Sequence, residues 1–309
     1  MSSATATLPT LKKVLFATDF STYSKKALEY ATALTRGLHG SFYLAHVVST
    51  MNFALAGPET VGLAGDAAWR DLTELETKLD EAGALRGIPH HTLLCQGDIS
   101  AQLQEIVERE GIDLVVVGTH GREGLMKVVA GSVAENVFRH VSCPVLVISS
   151  HVSSIGAAAD TFAPKRVLLA TDFGAASRQA LIFGASLIKQ NRGTLILLHV
   201  IPPLALTSAD SFWYLGSKLE GMRKGIEVQT LEQLKKFIPE DLDLQGRVEF
   251  TTDVEFPVEG ILSAARKHQA DLILLGLREH APSIASHSPW EIADRVICGA
   301  DVPVMTVKA

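Results

Sequence analysis

The sequence predicts an α/β protein built from two tandem doubly wound domains, each with a five-stranded, mostly parallel sheet flanked by helices. Three observations lead to this prediction. The chain has 309 residues, which is enough for two domains of ordinary size. A stretch near its start recurs half a chain later. Short apolar, β-branched runs alternate with longer segments of helical period, as in parallel strands joined by crossover helices.

The repeat is clearest around the first predicted strand. Lys12–Phe20, with the sequence KKVLFATDF, reappears 153 positions later as KRVLLATDF. The same shift aligns two further pairs without a gap, Gly40 with Gly193 and His46 with His199. One structural unit has therefore been duplicated. We expect domains at 1–150 and 164–309, joined by a linker at 151–163 that is rich in Ser, Ala and Gly.

The apolar runs place the elements of the first domain. Strands are predicted near 13–18, 42–48, 91–95, 113–118 and 144–148, and helices near 21–38, 66–86, 99–110 and 132–141. The strands are almost continuously apolar, which is typical of a parallel sheet covered by helices on both faces. Ligands of such folds bind beyond the carboxyl ends of the strands, where the strand order reverses. Functional residues are therefore expected at 17–21, 47–51 and 118–132.

Composition disfavours several classes of protein. The net charge is −6 and no block of Lys or Arg occurs, so we expect no nucleic-acid partner. No apolar run reaches the roughly 18 residues of a membrane helix, and the first ten residues do not resemble a signal peptide. A cytoplasmic location without membrane contact is expected. The three cysteines lack the spacing of a zinc cluster or a disulfide framework, so they are interpreted as buried free thiols and no metal site is predicted.

A glycine-rich segment follows the fourth predicted strand. Gly118, Gly121 and Gly131 precede Ser132 in the pattern Gly-x2-Gly-x9-Gly-Ser. Glycines let backbone amides approach an anion closely, and the start of the next helix favours phosphate oxygens. The alternative is a capping box formed by Ser132 and Glu135, which would bind nothing. A cap alone does not require the upstream glycines, so a phosphate site is the favoured interpretation.

This spacing, together with Ala-Thr-Asp after the first strand and His-Val after the second, resembles the universal stress protein family over nearly the whole chain. The resemblance implies a domain that binds ATP in the nucleotide-binding branch of the family. It implies an adenine site formed by Asp19 and Val47 with Ala17 and Thr18 as its wall. It also implies residues around the ribose and phosphates, namely Gly118, Gly121, Gly131, Ser132 and Val133, with Arg122 beside them. AMP or another adenine nucleotide stays open as the ligand, and Mg²⁺ would accompany ATP.

Asp19 allows two interpretations from its chemistry alone. A carboxylate at a strand end can accept a hydrogen bond from an exocyclic amine such as that of adenine. It can also cap the helix predicted to start near Ser21. Both roles stay open at this point.

The second domain has lost most of the glycine pattern. Its equivalent stretch reads Gly276-Leu-Arg-Glu279, and Pro289-Trp290 stands where Gly-Ser is expected. Glu279 places negative charge where phosphate would lie, and Trp290 occupies space that the backbone needs to approach an anion. One nucleotide per chain is predicted, in the first domain. Asp172, Val200 and Gly276 persist. They could form a crevice of adenine size for a different ligand, but the needs of the fold are the favoured explanation.

Three functions are weighed. The favoured one is a nucleotide-binding stress-response regulator or sensor. An ATP-hydrolysing enzyme of related fold is the first alternative, but no GxxxxGK[ST] sequence is present and no catalytic residue is assigned. A scaffold that needs no ligand is the second. Slow hydrolysis at most is expected.

Both domains end in an apolar strand after a proline, at 144–148 and 303–307. An exposed strand of this kind promotes aggregation unless it is covered. The resemblance implies that the two last strands pair, giving a pseudo-dimer within one chain, and a homodimer of two chains is a further expectation. The segments 51–68 and 202–217 are interpreted as long connections that serve as lids, as partner surfaces or merely as mobile loops.

Overall fold

The computed structural model describes residues 9–22, 24–49, 58–119, 132–155, 161–203, 216–244, 246–278 and 289–309. These residues form two compact units. The first unit comprises Thr10–Ala163 and Ile297–Thr306, and the second comprises Pro164–Val296 with Pro9 and Val307–Ala309. The predicted α/β class is confirmed.

Each repeat alternates strands with helices in the same order. The first repeat contains β1 (Lys13–Ala17), α1 (Ser24–Gly37), β2 (Ser41–Ser49), α2 (Pro58–Glu81), β3 (His90–Gly97), α3 (Ile99–Glu110), β4 (Leu114–Gly118), α4 (Ser132–His140) and β5 (Val145–Ile148). The second repeat contains β6 (Arg166–Ala170), α5 (Ala175–Asn191), β7 (Thr194–Ile201), α6 (Gly216–Phe237), β8 (Val248–Val254), α7 (Pro257–Lys267), β9 (Leu272–Leu277), α8 (Pro289–Gly299) and β10 (Val304–Lys308).

The strand order reverses next to the first strand of each repeat. It is β3-β2-β1-β4-β5-β10 in the first unit and β9-β6-β7-β8 in the second. β1 is parallel to both β2 and β4, and β6 is parallel to both β7 and β9. The chain leaves β1 on one side and returns at β4 on the other. A crevice between the carboxyl ends of β1 and β4 follows from this order, as in other doubly wound sheets.

The last strands of the two repeats pair with each other. β5 and β10 are antiparallel, with Leu146 opposite Met305 and both side chains buried. The Ser149 hydroxyl donates a hydrogen bond of 3.1 Å to the backbone carbonyl of Ala300. The sheet of the first unit therefore includes the strand that ends the second repeat, which is consistent with the predicted intrachain pair.

The core of each unit is formed by the apolar strands and the helix faces that cover them. In β4, the four residues from Leu114 to Val117 are at most 4% exposed, as expected for a central parallel strand. α3 has clear signals at both ends. The Asp98 carboxylate accepts a 2.9 Å hydrogen bond from the Ala101 N–H, and Gly111 ends the helix with a φ of 63°.

A glycine lets the first two strands of each repeat start side by side. A Cβ on Gly40 would lie 2.1 Å from the Lys12 carbonyl oxygen, and one on Gly193 would lie 2.6 Å from the Lys165 carbonyl oxygen. In the first repeat the N–H of the next residue, Ser41, donates a 2.7 Å hydrogen bond to the same Lys12 carbonyl oxygen. The repeated glycine is therefore required by close backbone approach.

The second helix differs from its prediction. It was expected at 66–86, but α2 begins at Pro58 and ends at Glu81, followed by Gly83 in the left-handed region with a φ of 71°. Residues 58–68, interpreted above as part of a long connection, are therefore helical. The start of the helix is not evident from the sequence because Gly62 and Gly65 lower the helix propensity of this segment. The remaining parts of the two long connections, 50–57 and 204–215, lie outside the described residues.

The segment between the repeats packs along α1 where the structure describes it. The Phe162 N–H donates to the Ala33 carbonyl at 3.1 Å, and the Tyr30 hydroxyl donates to the Ser153 carbonyl at 3.1 Å. The rings of Tyr30 and Phe162 meet edge to face. The segment predicted as a linker is thus held against the first unit on both sides of residues 156–160, which lie outside the described residues.

The three cysteines are free but half-buried, so the expected full burial of their thiols is wrong. Cys95 lies on β3, and burial raises the pKa of its thiol. None of the helices among the described residues has the length and apolar character that crossing a membrane requires.

Candidate functional site at the strand switch point

The residues predicted at the strand ends come together at one edge of the first unit. Ala17 ends β1, Gly118 ends β4, and these two strands flank the point where the strand order reverses. Val47 lies near the end of the neighbouring strand β2 and is 8% exposed. Thr18 and Asp19 follow β1 directly. Five of the ten predicted site residues therefore lie at or just after the carboxyl ends of the adjacent strands β2, β1 and β4.

The turn after β1 is fixed by its own side chains. Thr18 is buried, and its hydroxyl oxygen accepts a 3.0 Å hydrogen bond from the Phe20 N–H. This bond accompanies a φ of 62° at Phe20, a conformation that non-glycine residues rarely adopt. The Asp19 carboxylate accepts a 3.0 Å bond from the Ser21 N–H. Strained backbone of this kind is often found at functional sites.

The Ser21 hydroxyl accepts a hydrogen bond at the start of α1. This helix begins at Ser24, and the Ser24 N–H donates to the Ser21 hydroxyl at 3.2 Å. The bond that the Asp19 carboxylate accepts from the Ser21 N–H lies in the turn before the helix. The helix starts later than predicted because the turn includes the left-handed Phe20.

A histidine in each repeat supports this turn, a role that was not predicted from the sequence. The His46 ring nitrogen Nδ1 lies 2.6 Å from the Thr18 carbonyl oxygen, and the ring packs on Phe20 with centroids 4.5 Å apart. In the second repeat His199 lies 2.7 Å from the Thr171 carbonyl and packs on Phe173. The sequence signal that could have indicated this role is that both repeats contain Thr-Asp-Phe followed 26 residues later by a histidine. The predicted location of both histidines on strands is confirmed.

The glycine-rich segment lies mostly outside the described residues. Gly121, Arg122 and Gly131 fall in 120–131, so the structure does not place them. Ser132 and Val133 are the first two residues of α4. Their N–H groups therefore stand at a helix start that directly follows the segment after β4, where the helix dipole favours an anion.

The Glu135 carboxylate, the acidic partner in the proposed capping box, contacts Arg139 at 2.7 Å. Arg139 lies one turn further along α4. The described geometry therefore gives Glu135 a partner on the side of the helix away from Ser132.

The second unit keeps the aspartate but surrounds it differently. The Asp172 carboxylate accepts hydrogen bonds from the Gly174 N–H at 2.8 Å and the Ser177 hydroxyl at 2.9 Å. Its other oxygen accepts a hydrogen bond from Arg278, which follows β9 directly. Burial favours a higher pKa of Asp172, but these hydrogen bonds and the guanidinium charge outweigh it and leave the pKa below its ordinary value. No role for Arg278 was predicted from the sequence.

Two further residues distinguish the second unit. A Cβ on Gly276 would lie 2.4 Å from the backbone of Ala176 and Ser177, so this glycine is needed where β9 packs on α5. This agrees with its interpretation as a requirement of the fold. Trp290, in the first turn of α8, is 8% exposed. Its indole is therefore packed into the protein at the helix start where phosphate would have to bind.

The arrangement in the first unit can accept a hydrogen bond from an amine and can present backbone N–H groups to an anion. Among the residues that the structure describes, no group of three or more histidine, cysteine or carboxylate side chains could hold a metal ion.

A model of the universal stress protein family matches residues 10–149 and 164–308. Among curated proteins, a universal stress protein of Methanocaldococcus jannaschii is 32% identical over 148 residues, covering 44% of this chain and 81% of its own length. The similarity to this relative extends over one repeat.

Solved structures extend the comparison to both repeats. A universal stress protein from Archaeoglobus fulgidus covers 96% of each chain with 21% identity and a TM-score of 0.64, a likeness of fold. Another universal stress protein, solved in complex with cAMP, is 22% identical and covers 46% of this chain with a TM-score of 0.35. That score is too low to carry an argument about the present site.

Proposed function

The chain belongs to the universal stress protein family, and from this premise we propose that its first repeat binds an adenine nucleotide, ATP, and acts as a stress-response regulator or sensor. Asp19 and Val47 contact the adenine, with Ala17 and Thr18 as the wall of the site. The ribose and phosphates lie against residues of the glycine-rich segment and the start of α4: Gly118, Gly121, Arg122, Gly131, Ser132 and Val133. Mg²⁺ accompanies the phosphates.

The observation that carries this proposal is the position of Asp19 beside Gly118 at the reversal of strand order. Ligands of doubly wound folds bind at this point because two neighbouring loops leave the sheet in opposite directions and open a crevice. The carboxylate of Asp19 is held in a defined turn by the Ser21 N–H. A fixed acceptor can recognise the exocyclic amine of adenine without reorganisation.

The second repeat does not bind the nucleotide in this proposal. The Arg278 guanidinium pairs with Asp172 where the adenine amine would approach. The buried indole of Trp290 stands at the start of α8, where the phosphates would need open backbone. The chain therefore binds one nucleotide. The second repeat contributes β10, which pairs with β5 and stabilises the sheet of the first unit.

Calorimetric titration of the full chain with ATP and Mg²⁺ tests the stoichiometry. Binding is expected to saturate near one nucleotide per chain. Gly121→Val and Gly131→Val are expected to abolish it, because a branched side chain blocks the approach of phosphate to the backbone. Gly225→Val is a matched control, since Gly225 lies in α6 with no atom within 4 Å of its would-be Cβ. Two nucleotides per chain, or normal binding by both glycine variants, would contradict the proposal.

The role of Asp19 is tested by reversing its hydrogen-bonding character. Asp19→Asn keeps an oxygen for the Ser21 N–H but presents an amide that can donate. The variant is expected to lose preference for ATP over ITP, whose base carries an oxygen in place of the amine. Asp172→Asn is the matched control and should leave the preference unchanged. Equal discrimination by both variants would exclude the proposed adenine contact.

Regulation rather than catalysis is proposed because no residue of the described site is placed as a base or as a phosphate-bound lysine. A sensor changes its shape or stability when occupied. Hydrogen exchange with and without ATP should therefore differ around β1, β4 and α4, while ATP is released unchanged after denaturation. Rapid turnover that both glycine variants lose would identify an enzyme instead.

A further inference from the structure

A groove lies between α1 and α2 of the first unit, behind the turn after β1. Its volume is about 210 Å³. Phe20, Leu28 and Leu75 supply its apolar lining, and the charged groups of Lys25 and Lys78 stand at its rim. Thr18, proposed above as part of the wall of the adenine site, also borders the groove, whereas the start of α4 that the phosphates are proposed to contact is not among its lining residues.

In the second unit an aromatic ring lies between the counterparts of these residues. The 153-residue shift aligns Phe20 with Phe173 and Lys25 with Arg178. The ring of Phe237 meets Phe173 edge to face, with centroids 5.7 Å apart and an interplanar angle of 79°. The Arg178 guanidinium carbon lies 5.0 Å from the centre of the same ring. Phe237 is 3% exposed, so the ring is enclosed.

Leu75 of α2 lines the groove together with Phe20 and Lys25, and Phe237 of α6 lies beside Phe173 and Arg178. The inner faces of both helices also carry buried residues at a spacing of four, namely Ala68 and Leu72 in α2 and Thr230 and Leu234 in α6. The two repeats therefore differ at this position by an aromatic ring, and the first repeat keeps a groove beside the shorter leucine.

We propose that this groove binds the ring of a small monocyclic aromatic molecule. The bound ring takes the place relative to Phe20 and Lys25 that Phe237 takes relative to Phe173 and Arg178. Edge-to-face packing and a cation near the ring face both favour an aromatic ring over an aliphatic group of the same size.

The charges at the rim favour a ring without net charge. Lys78 is paired with Glu74 at 2.5 Å, and Lys25 stands on the same rim as Asp71. Cations and carboxylates are thus mixed around the opening. A strongly charged ligand would meet a like charge on one side, so phenol is a suitable probe.

The test uses methyl NMR of the full chain, with phenol as the probe and cyclohexanol as the aliphatic control. Phenol is expected to cause saturable ring-current shifts of the Leu28 and Leu75 methyl signals, and cyclohexanol should bind roughly fivefold more weakly. Lys25→Met should weaken phenol binding by a similar factor, whereas Lys25→Arg, which copies Arg178, should restore it.

Leu75→Phe is the decisive variant because it copies the second repeat. It should fill the groove and abolish the phenol-dependent shifts of Leu28 while the protein stays folded by circular dichroism. Phe237→Leu is its mirror image and should create a second phenol site, reported by Leu181, the counterpart of Leu28. Because Leu75 lies outside the proposed nucleotide contacts, ATP titration of Leu75→Phe separates this proposal from the proposed function.

Two results would overturn the proposal. One is the absence of saturable shifts with phenol, or equal shifts in the Leu75→Phe variant. The other is equal affinity for phenol and cyclohexanol, which would reduce the groove to a non-selective apolar surface.

Discussion

Arg278 donates a hydrogen bond to the carboxylate of Asp172, the residue that aligns with Asp19 of the first repeat. The aspartate stands after the first strand in both repeats, but in the second a guanidinium from the loop after β9 approaches it. With Gly118 aligned to Gly276, the residue aligned with Arg278 is His120. The two repeats thus have the same order of strands and helices but differ in the residue that the loop after β4 or β9 carries at the position aligned with Arg278.

Replacing Arg278 with alanine is expected to raise the pKa of Asp172. The guanidinium lowers this pKa together with the Gly174 and Ser177 hydrogen bonds, so its loss leaves burial less opposed. Both side chains are about half exposed, so the free energy of unfolding should fall by less than about 1 kcal/mol. An NMR titration of the Asp172 carboxyl carbon measures the shift. Arg278→Lys should keep part of the lowering of the Asp172 pKa. An unchanged pKa in Arg278→Ala would argue against the ion pair of Arg278 and Asp172.

The same carboxylate predicts a pH dependence of stability. Its pKa in the folded protein lies below the ordinary value of 3.8. Its stabilising contribution is therefore complete above that value and is lost as the pH falls through the lower folded pKa. The difference in unfolding free energy between the natural chain and Asp172→Asn should be largest near neutral pH and should shrink in acid. Urea unfolding at several pH values measures it, and a difference that grows in acid would contradict the assignment.

Asp98→Ala should destabilise α3 through loss of its N-terminal cap. The Asp98 carboxylate accepts from the Ala101 N–H at 2.9 Å, and this bond lowers the pKa of the carboxyl. Removing such a cap costs about 1 kcal/mol. Amide exchange should quicken in the first turn of α3. Asp98→Asn can still accept the bond and is expected to behave nearly like the natural chain.

Gly40→Ala should be poorly tolerated because its Cβ would meet the Lys12 carbonyl oxygen. Separating the starts of β1 and β2 should lower the unfolding free energy by about 2 kcal/mol or more. Gly225→Ala, inside α6 with open space around it, should instead raise stability by about 0.5 to 1 kcal/mol. Thermal unfolding of the two variants provides the comparison. A Gly40→Ala variant as stable as Gly225→Ala would refute the role given to Gly40.

Most of the fold could be predicted from the sequence because the chain contains a repeat. Lys12–Phe20 and its copy identify β1 and β6, and the apolar runs after them identify the other strands of the sheet. Parallel strands buried on both faces are continuous in sequence and easy to recognise. The reversal of strand order then places Asp19 and Gly118 together without further information.

The details that the sequence did not predict depend on contacts between distant segments. Arg278 meets Asp172 across a gap of more than a hundred residues, and nothing in either local pattern marks the pair. The role of His46 depends on the Thr18 carbonyl in the turn after the neighbouring strand β1, which is 28 residues away in sequence. The start of α2 was placed too late because helix propensity at Gly62 and Gly65 is overridden by the tertiary structure.

The pairing of β10 with β5 also constrains how the protein is made. During translation the first repeat leaves the ribosome with the outer side of β5 unpaired, because β10 follows the other elements of the second repeat in the sequence. A nascent or truncated chain that ends before Val304 would expose backbone donors and acceptors on an apolar strand, where a second molecule could add. Folding of the first unit therefore cannot be completed until Val304–Thr306 have been synthesised.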